Sequence, residues 1–156
     1  MSSANGQLFK VNSSGIHGKG AFAVRRIRPG TRIIEYVGQR ISNEEADRRY
    51  AKDDAPHHHT FLFSVDNNIC IDAGRRGNDA RFINHSCNPN CEAVEEDGRI
   101  FIEALRNIQP RAELTYDYSL TGPNPRTKIE IARYACYCGS ANCRGTMCAP
   151  RAKRRK

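Results

Sequence analysis

The stretch ARFINHSCNPNC, residues Ala80 to Cys91, places Asn84, His85 and Cys87 close together in a polar turn with apolar flanks. Three interpretations fit these residue types: a Cys–His nucleophile pair, a metal site, or a polar turn packed into a core. Pro89 and the asparagines are ordinary turn formers in all three. A catalytic Cys–His pair is normally assembled from distant segments, so the proximity of His85 and Cys87 does not favour a nucleophile. The rest of the chain has to decide between them.

The length and composition predict a single domain that is large enough, at 156 residues, to bury a hydrophobic core. The first residues, MSSANGQLFK, lack an apolar signal region, and no apolar run approaches the ~18 residues of a membrane span. We therefore expect a soluble intracellular protein without membrane contact. The seven cysteines are an odd number. Because a reducing compartment disfavours disulfides, the sequence favours metal binding or simple burial for them.

Positive charge is concentrated at the end of the sequence. The formal net charge is +8, from 25 basic and 17 acidic residues. Five of the basic residues stand in the last six positions, Arg151 to Lys156, and without them 20 basic residues face 17 acidic ones, a net +3. Such a segment is a solvated end, a nucleic-acid contact or a nuclear import signal, and the sequence leaves all three open.

The hydropathy pattern predicts a mainly β protein with many short strands. The dipeptides Asn67-Asn68 and Asp97-Gly98 each predict a hairpin turn, and Pro29-Gly30 predicts a further turn. Ser42 and Glu45 form a capping box that predicts one helix over NEEADRRYAK, residues 43–52. The predicted strands are QLFKVN (7–12), GAFAVRRI (20–27), TRIIEYVGQRI (31–41), FLFSVDN (61–67), ICIDAG (69–74), CEAVEEDGRIFIEAL (91–105, as a hairpin) and AELTYDY (112–118).

Two segments read as connections rather than as strands. His57 to His59 follow the predicted helix in a stretch that contains Pro56, and we interpret them as part of a loop, because three adjacent histidines cannot all face one metal ion. The helix and this loop form an insertion at about residues 42–60. Residues 120–128 are rich in Gly, Pro, Asn and Thr, which is typical of a linker.

After the linker, the segment CYCGSANCRG carries Cys136, Cys138 and Cys143 at C-x-C-x4-C spacing. Structural zinc prefers four tetrahedral ligands, often thiolates, so three local cysteines require a fourth ligand from elsewhere. The candidates for the fourth ligand are Cys70, Cys87, Cys91 and Cys148. Among them Cys87 is favoured, because it already lies among turn residues rather than in a strand pattern.

Four motifs occur in a fixed order: GIHGKGAFA (15–23), GNDARFINHSCNPNC (77–91), ELTYDY (113–118) and CYCGSANCRG (136–145). Together they resemble the SET-domain protein lysine methyltransferases that carry a post-SET zinc segment. The resemblance runs from about Leu8 to Met147. It implies a mainly β SET-domain fold of small short-stranded sheets, with one or two short helices and a C-terminal pseudoknot between the NHSC and ELTYDY segments. Such a pseudoknot is an exception to the usual avoidance of threaded chains.

The resemblance implies a reaction in which a lysine amine displaces the methyl group of S-adenosyl-L-methionine in line. It implies that Gly18 and Gly20 let the backbone close on this cofactor, that Asn84 and His85 hold its adenine and amino-acid portions, and that Tyr137 borders the adenine. Phe61 stands where related enzymes often have a tyrosine, which removes a channel hydroxyl. The positions implied to bind the cofactor or line its channel are His17, Gly18, Lys19, Gly20, Phe61, Asn84, His85 and Tyr137.

The resemblance also implies roles for two tyrosines and four cysteines. Tyr118 would be the catalytic tyrosine, and Tyr116 the position that limits how many methyl groups fit, giving mainly mono- and dimethyllysine. One structural Zn²⁺ would be bound by Cys87, Cys136, Cys138 and Cys143. On this reading Cys87 is a metal ligand and not a nucleophile.

The implied organisation is a SET domain over residues 1–122, a post-SET zinc segment over 123–148 and a basic tail over 149–156. Nothing before Leu8 resembles a pre-SET zinc segment, so we expect a minimal enzyme. The expected substrate is a lysine in a histone or other basic tail, with a nucleic-acid contact through Arg151 to Lys156. The expected location is the nucleus or chromatin in a eukaryote or for a host-directed effector, and the cytoplasm otherwise.

The main alternative is a zinc-stabilised chromatin or nucleic-acid binding module with an inactive SET fold. The presence of Tyr118 and of the Asn84-His85 pair favours the enzyme. Thermal stabilisation by the cofactor separates the two, because a binding module would show none.

Overall fold

The computed structural model of the protein describes residues 7–50, 61–66, 68–120 and 134–149. The predicted histidine loop, most of the predicted linker and the basic tail lie outside these ranges. The described residues form a mainly β architecture of small sheets with one α-helix, as the sequence predicts. In chain order the elements are β1 (Phe9–Ser13), β2 (Lys19–Ala23), β3 (Arg32–Tyr36), β4 (Gln39–Ser42), α1 (Asn43–Tyr50), β5 (Leu62–Ser64), β6 (Ile69–Asp72), a short 3-10 helix (Asp79–Phe82), β7 (Asn84–His85), β8 (Cys91–Glu96), β9 (Arg99–Ala104) and β10 (Thr115–Tyr116).

The strands pair in four small sheets. β1 pairs with β2, and β3, β9 and β8 form a three-stranded sheet in that order. A second three-stranded sheet has the order β4-β6-β5, and β7 pairs with β10. The last pair is the only parallel pair among these described strands, and it sets Asn84 opposite Thr115 and His85 opposite Tyr116. It brings the NHSC and ELTYDY segments side by side, as the predicted pseudoknot requires.

Both predicted hairpins are confirmed. β8 and β9 pair from Cys91 opposite Ala104 to Glu96 opposite Arg99, and both turn residues have positive φ, 52° at Asp97 and 78° at Gly98. Two positive φ values in a two-residue turn match the twist of the flanking strands. β5 and β6 form the other hairpin, and the Asp66 carboxylate accepts a hydrogen bond from the Ile69 N–H at 2.9 Å.

The predicted helix begins where the capping box places it. The Glu45 N–H donates to the Ser42 hydroxyl oxygen at 3.1 Å, which satisfies one backbone donor of the first turn. The Glu45 carboxylate accepts from Arg48 and Arg49. α1 extends over Asn43–Tyr50, and the last two residues of the predicted helix lie outside the described ranges.

The predicted extent of three strands is wrong. The stretch 31–41 divides into β3 and β4, which belong to different sheets. The chain crosses over at Gly38, where a Cβ atom would lie 2.5 Å from the backbone oxygen of Asp72. The strand predicted over 20–27 ends at Ala23, and only Thr115–Tyr116 of the stretch 112–118 is a strand. Local apolar content does not show where a strand leaves one sheet for another.

The main hydrophobic core draws its buried residues from β1, β2, β8, β9 and β10 and from the loops between strands. Its largest members are aliphatic and aromatic, and Tyr118 packs against it. The described helix has neither the length nor the hydropathy that a membrane-spanning helix needs. The core members with the largest side chains are Phe9, Ile27, Ile83, Ile102, Ile108, Leu114 and Tyr116.

Candidate functional site

The short strand β7, which follows the 3-10 helix, is buried, although both of its residues are polar. Asn84 is 1 % exposed and His85 is 2 % exposed, and β10 pairs with both through the backbone. Burying polar side chains is costly unless they are hydrogen-bonded. The hydrogen bonds of these two side chains therefore define how the site is built.

The side chain of Asn84 holds the loop of residues 14–20, which we call the Gly18 loop. Its Nδ2 lies 3.1 Å from the backbone oxygen of His17 and 3.0 Å from that of Lys19. It also lies 2.9 Å from Glu113 Oε1, and the Ser14 hydroxyl donates to the same carboxylate at 2.8 Å. The two hydrogens on Asn84 Nδ2 are shared among these acceptors. The Asn84 side chain therefore links three segments that are distant in the sequence.

Positions 18 and 20 of this loop are occupied by glycine for different structural reasons. Gly20 is required because a Cβ atom would lie 2.2 Å from Glu113 Oε1, so the protein's own carboxylate occupies the space. Gly18 has φ of +43°, and its backbone oxygen accepts from the Ser14 N–H at 2.8 Å. No atom lies within 4 Å of a Cβ built at Gly18, so open space remains beside the loop. The Lys19 ammonium lies 5.6 Å from the centre of the Phe82 ring.

Tyr116 and Tyr118 pack against each other, with ring centres 4.8 Å apart. The Tyr118 hydroxyl donates to the backbone oxygen of Ile83 at 2.6 Å, which holds the ring against the start of β7. Burial raises the pKa of both phenols well above the ordinary value of 10.0. Both hydroxyls therefore stay protonated at physiological pH and act as neutral hydrogen-bonding groups rather than as phenolate bases.

The tyrosine pair belongs to a larger aromatic group. Phe63 lies 6.3 Å from Tyr116 and 5.3 Å from Tyr36, measured between ring centres. The Tyr36 hydroxyl donates to the backbone oxygen of Phe61 at 2.6 Å, and the Phe61 ring meets Phe82 edge-on at 6.2 Å. Phe61 thus joins the same aromatic surroundings through its carbonyl and its ring.

His85 connects the tyrosine pair to the cysteines. Its Nδ1 accepts the backbone N–H of Tyr118 at 2.9 Å, and its Nε2 lies 3.5 Å from Cys87 Sγ. Burial lowers the pKa of His85 to about 4, so the ring is neutral at pH 7. Because Nδ1 is the acceptor, the proton is on Nε2 and points to the sulfur. One ring thereby fixes both the backbone of Tyr118 and the side chain of Cys87.

The four predicted metal ligands lie together. Their sulfur atoms are all within 4.8 Å of one another, with 3.8 Å between Cys87 and Cys136. A tetrahedron of thiolates with Zn–S of ~2.3 Å has edges of about 3.8 Å. Backbone N–H groups face three of the sulfurs, and Cys70, Cys91 and Cys148 are buried outside this group. The members of this cysteine cluster are Cys87, Cys136, Cys138 and Cys143, all of them free thiols.

Tyr137, between two members of the cysteine cluster, differs from the other tyrosines of the site because its side chain is 56 % exposed. Its ring offers an open aromatic surface on the segment that carries the cysteines.

An ion pair that the sequence reasoning missed attaches this segment to the tyrosine pair. The Arg144 guanidinium donates two hydrogen bonds to the Asp117 carboxylate, at 2.9 and 3.0 Å, and a third to the backbone oxygen of Cys148 at 3.2 Å. The Arg144 N–H donates to Cys87 Sγ at 3.3 Å. Burial is the largest single influence on the Asp117 carboxyl and raises its pKa. The hydrogen bonds from Arg144 and from the Ser119 N–H, together with the charge of Arg144, outweigh burial and lower the pKa.

Breaking this ion pair should destabilise the protein measurably. The two side chains are only 24 % and 29 % exposed, and charged hydrogen bonds of this kind contribute about 1.5–3 kcal/mol. We expect Arg144→Met and Asp117→Asn each to lower the free energy of unfolding in urea by about 1–3 kcal/mol, and the double variant to lose much less than the sum.

The matched control for this prediction is Arg48→Met, which removes an ion pair to Glu45 from a side chain that is 75 % exposed. An exposed helical pair contributes about 0.3–0.5 kcal/mol, so this variant should unfold almost like the parent. Fully additive effects at Arg144 and Asp117 would show that the two side chains act independently.

Ser14 and Glu113 are further residues that the sequence reasoning did not select. The available signals were weak: Glu113 begins the ELTYDY motif, and Arg144 directly follows the last cysteine of the cluster. The contacts that give these residues their positions join segments that are 27 and 99 residues apart, so no local pattern reveals them.

Comparison with known proteins adds family information to this geometry. The sequence profile described as SET domain matches residues 18–119. The human protein named histone-lysine N-methyltransferase SETD1B is 43 % identical over 143 residues, which cover 88 % of this chain and 7 % of that protein. Proteins named histone-lysine N-methyltransferase, H3 lysine-4 specific, are 45 % identical in Emericella nidulans and 44 % in Saccharomyces cerevisiae, each over 139 residues.

The two fungal matches cover 85 % of this chain, and 11 % and 12 % of the respective proteins. The chain therefore spans about a tenth or less of the length of these relatives.

Proposed function

Because this chain belongs to the SET-domain family, we propose that it is a protein lysine N-methyltransferase that uses S-adenosyl-L-methionine. The observation that carries the proposal is the position of Tyr118: its hydroxyl donates to the Ile83 carbonyl, its ring packs against Tyr116, and its backbone N–H donates to the buried His85 of β7. The names of the relatives support a histone-like tail as the substrate. We propose the division into a SET domain over 1–122, a post-SET segment over 123–148 and a tail over 149–156.

The residues around the Gly18 loop fit a bound cofactor. S-adenosyl-L-methionine would supply an electrophilic methyl group on a sulfonium. Open space lies beside Gly18, and the Asn84 side chain fixes the backbone of His17 and Lys19 at that place. We propose that residues His17 to Gly20 of the Gly18 loop, Asn84 and His85 of β7 and the exposed ring of Tyr137 hold this cofactor. Phe61 would line the adjoining channel.

The aromatic group would select a neutral lysine amine. Free lysine titrates near pH ~10.4, and a dry aromatic environment lowers that pKa by disfavouring the charged form. Tyr118 stays protonated, so it orients the amine by hydrogen bonding and does not remove the proton as a phenolate. Holding the amine in line with the methyl group is a positioning effect, which is worth several kcal/mol in rate.

We propose that the cysteine cluster binds one structural Zn²⁺. The four sulfurs form a donor set that suits zinc, and backbone N–H groups facing three of the sulfurs stabilise thiolates. The proposed ion has no vacant ligand position for substrate, so its role is to fold the segment and not to take part in the chemistry. Through Cys87 and His85 this segment contacts the backbone of Tyr118.

The test is methyl transfer to a lysine peptide. The protein should transfer label from S-adenosyl-L-methionine to a histone H3-like peptide, and a peptide with arginine in place of each lysine should remain unlabelled. Thermal stabilisation by the cofactor tests the binding step separately. If the cofactor neither stabilised the protein nor labelled any lysine peptide, the binding-module alternative would be favoured.

Tyr116 should set the number of methyl groups. We propose mainly mono- and dimethyllysine as products, because the buried Tyr116 side chain packs against the Tyr118 ring and its hydroxyl adds to the volume filled there. Tyr116→Phe frees about one hydroxyl of volume and should shift the product toward trimethyllysine. Mass spectrometry of a peptide after exhaustive turnover measures the shift.

The control for this experiment is the unaltered protein, in which Phe61 already lacks a hydroxyl. Dominant trimethylation by that protein would show that Phe61, and not Tyr116, determines the room in the channel.

The proposed location is chromatin, which suits a substrate that is a histone-like tail. We propose that the basic tail, Arg151 to Lys156, contacts nucleic acid there, because it carries five positive charges within six residues.

A further inference from the structure

Two surface segments lie side by side: residues 24–28 follow β2, and residues 105–111 follow β9. They are joined at Ile27 and Ile108, whose backbone groups exchange two hydrogen bonds of 2.9 and 2.8 Å. Both isoleucine side chains are buried in the main core, so the neighbouring residues are held at the surface by a fixed backbone. Arg111 has φ of 73°, and its N–H donates to the backbone oxygen of Ala23 at 2.7 Å, which anchors the end of the second segment.

The two segments carry positive charge alone. Their twelve residues include five arginines and neither aspartate nor glutamate. All five side chains are exposed, and we call them the arginine face: Arg25, Arg26, Arg28, Arg106 and Arg111.

The hydrogen bonds that orient two of these arginines go to neutral oxygens. Arg26 donates to the Asn107 side chain at 3.1 Å, and Arg106 donates to the backbone oxygen of Asn88 at 3.3 Å. Neutral acceptors fix the direction of a guanidinium without cancelling its charge. Arg26 and Arg106 are therefore preorganised positive charges at the surface.

The charge of the whole chain shows how unusual this face is. With the five basic residues of the tail and the five of the arginine face set aside, 15 basic residues face 17 acidic ones, a net charge of −2. The remaining charges are nearly balanced, so the arginine face is a local excess of positive charge among the residues that the structure describes.

We propose that the arginine face binds the phosphate backbone of duplex DNA. Residues 106–111 span at most about 18 Å, and a duplex presents one phosphate charge per ~1.7 Å of its axis, so the face matches a short stretch of backbone. Arginine forms paired hydrogen bonds with phosphate oxygens. This interaction is additional to the proposed methyl transfer and does not depend on it.

The experiment measures binding of the full chain to a fluorescent duplex of about 30 base pairs over a range of salt concentrations. The patch variant is Arg26→Ala, Arg28→Ala and Arg106→Ala combined. The control variant combines Arg40→Ala, Arg48→Ala and Arg75→Ala, which removes the same number of exposed positive charges elsewhere.

The patch variant should weaken binding at least about tenfold near 0.1 M salt and reduce the slope of log affinity against log salt by about 2–3, since each lost phosphate contact removes ~0.9 from the slope. The control variant should change the slope by less than about 1. Equal losses in both variants, or an unchanged slope in the patch variant, would overturn the proposal.

Two further readouts separate this proposal from others. Methylation of a short peptide should be the same in the patch variant and the parent, so failure of the proposed enzyme activity would be seen independently. Polyglutamate should compete for the labelled duplex more weakly than unlabelled duplex does at equal charge. If polyglutamate competed equally well, the face would be a general acidic-protein contact and the DNA proposal would be wrong.

Discussion

Replacing Tyr118 with phenylalanine should reduce methyl transfer by at least about a hundredfold, comparable to the loss of a single transition-state hydrogen-bonding group in other enzymes. The change removes only the hydroxyl, which donates to the Ile83 carbonyl, and leaves the ring packed against Tyr116. Under the proposed mechanism this hydroxyl aligns the amine with the methyl group in the transition state. Affinity for the cofactor should stay within a few-fold, because the hydroxyl contributes mainly to the rate and not to ground-state binding.

Stability has to be measured alongside activity in this variant. The Ile83 carbonyl loses its partner, and a buried unpaired acceptor costs about 1–3 kcal/mol. The free energy of unfolding and the cofactor dissociation constant of Tyr118→Phe should therefore be measured together with its initial rate of methyl transfer. Tyr134→Phe removes a phenol hydroxyl from a residue two positions before Cys136 and should keep the activity within about twofold of the parent. Near-normal turnover by folded Tyr118→Phe would exclude the assigned role.

Disrupting the cysteine cluster should have the second large effect. Cys136→Ser is expected to lower the zinc content from one ion per chain to near zero and to reduce methyl transfer by more than about tenfold. Structural zinc sites contribute about 10–16 kcal/mol of apparent binding energy in small domains, so losing the ion unfolds the segment that carries it. The contact from Cys87 through His85 to Tyr118 then loses its support.

Cys148 provides the matched control. Like Cys87 it is a buried cysteine that accepts a hydrogen bond from Arg144, and it was a candidate for the fourth ligand, but it lies outside the cluster. Cys148→Ala should keep one zinc ion per chain and most of the activity. Elemental analysis of both variants, together with a strong chelator applied to the parent, tests the assignment. Loss of zinc from Cys148→Ala but not from Cys136→Ser would reverse it.

The parts of the fold that the sequence predicts correctly depend on residues that are close together in the chain. Asp97-Gly98 supplies two residues that tolerate positive φ, and Ser42 reaches the N–H of Glu45 only three residues later. The missed break in the stretch 31–41 depends on a contact between Gly38 and Asp72, which belong to different segments. Turn and cap chemistry is local, whereas the choice of sheet is not.

The candidate site likewise contains residues that local sequence patterns predict and residues that they do not. The spacing of Cys136, Cys138 and Cys143 indicates a metal site, and the turn setting of Cys87 favours it as the fourth member. The residues that attach these parts to one another were not predicted. Arg144 reaches Asp117 and Ser14 reaches Glu113 only because the chain folds back, and neither contact has a signature within one motif.

The junction at Asn84 has a kinetic consequence. Its side chain contacts residues 65 to 70 positions earlier in the chain and a residue 29 positions later. Loops of this length must close before these contacts can form, and proteins with many non-local contacts fold slowly. We expect the Gly18 loop to acquire its native arrangement late in folding, after the local hairpin of β8 and β9. Any ligand of that loop would then bind only the completed domain, so its binding would report on folding of the whole chain rather than of one motif.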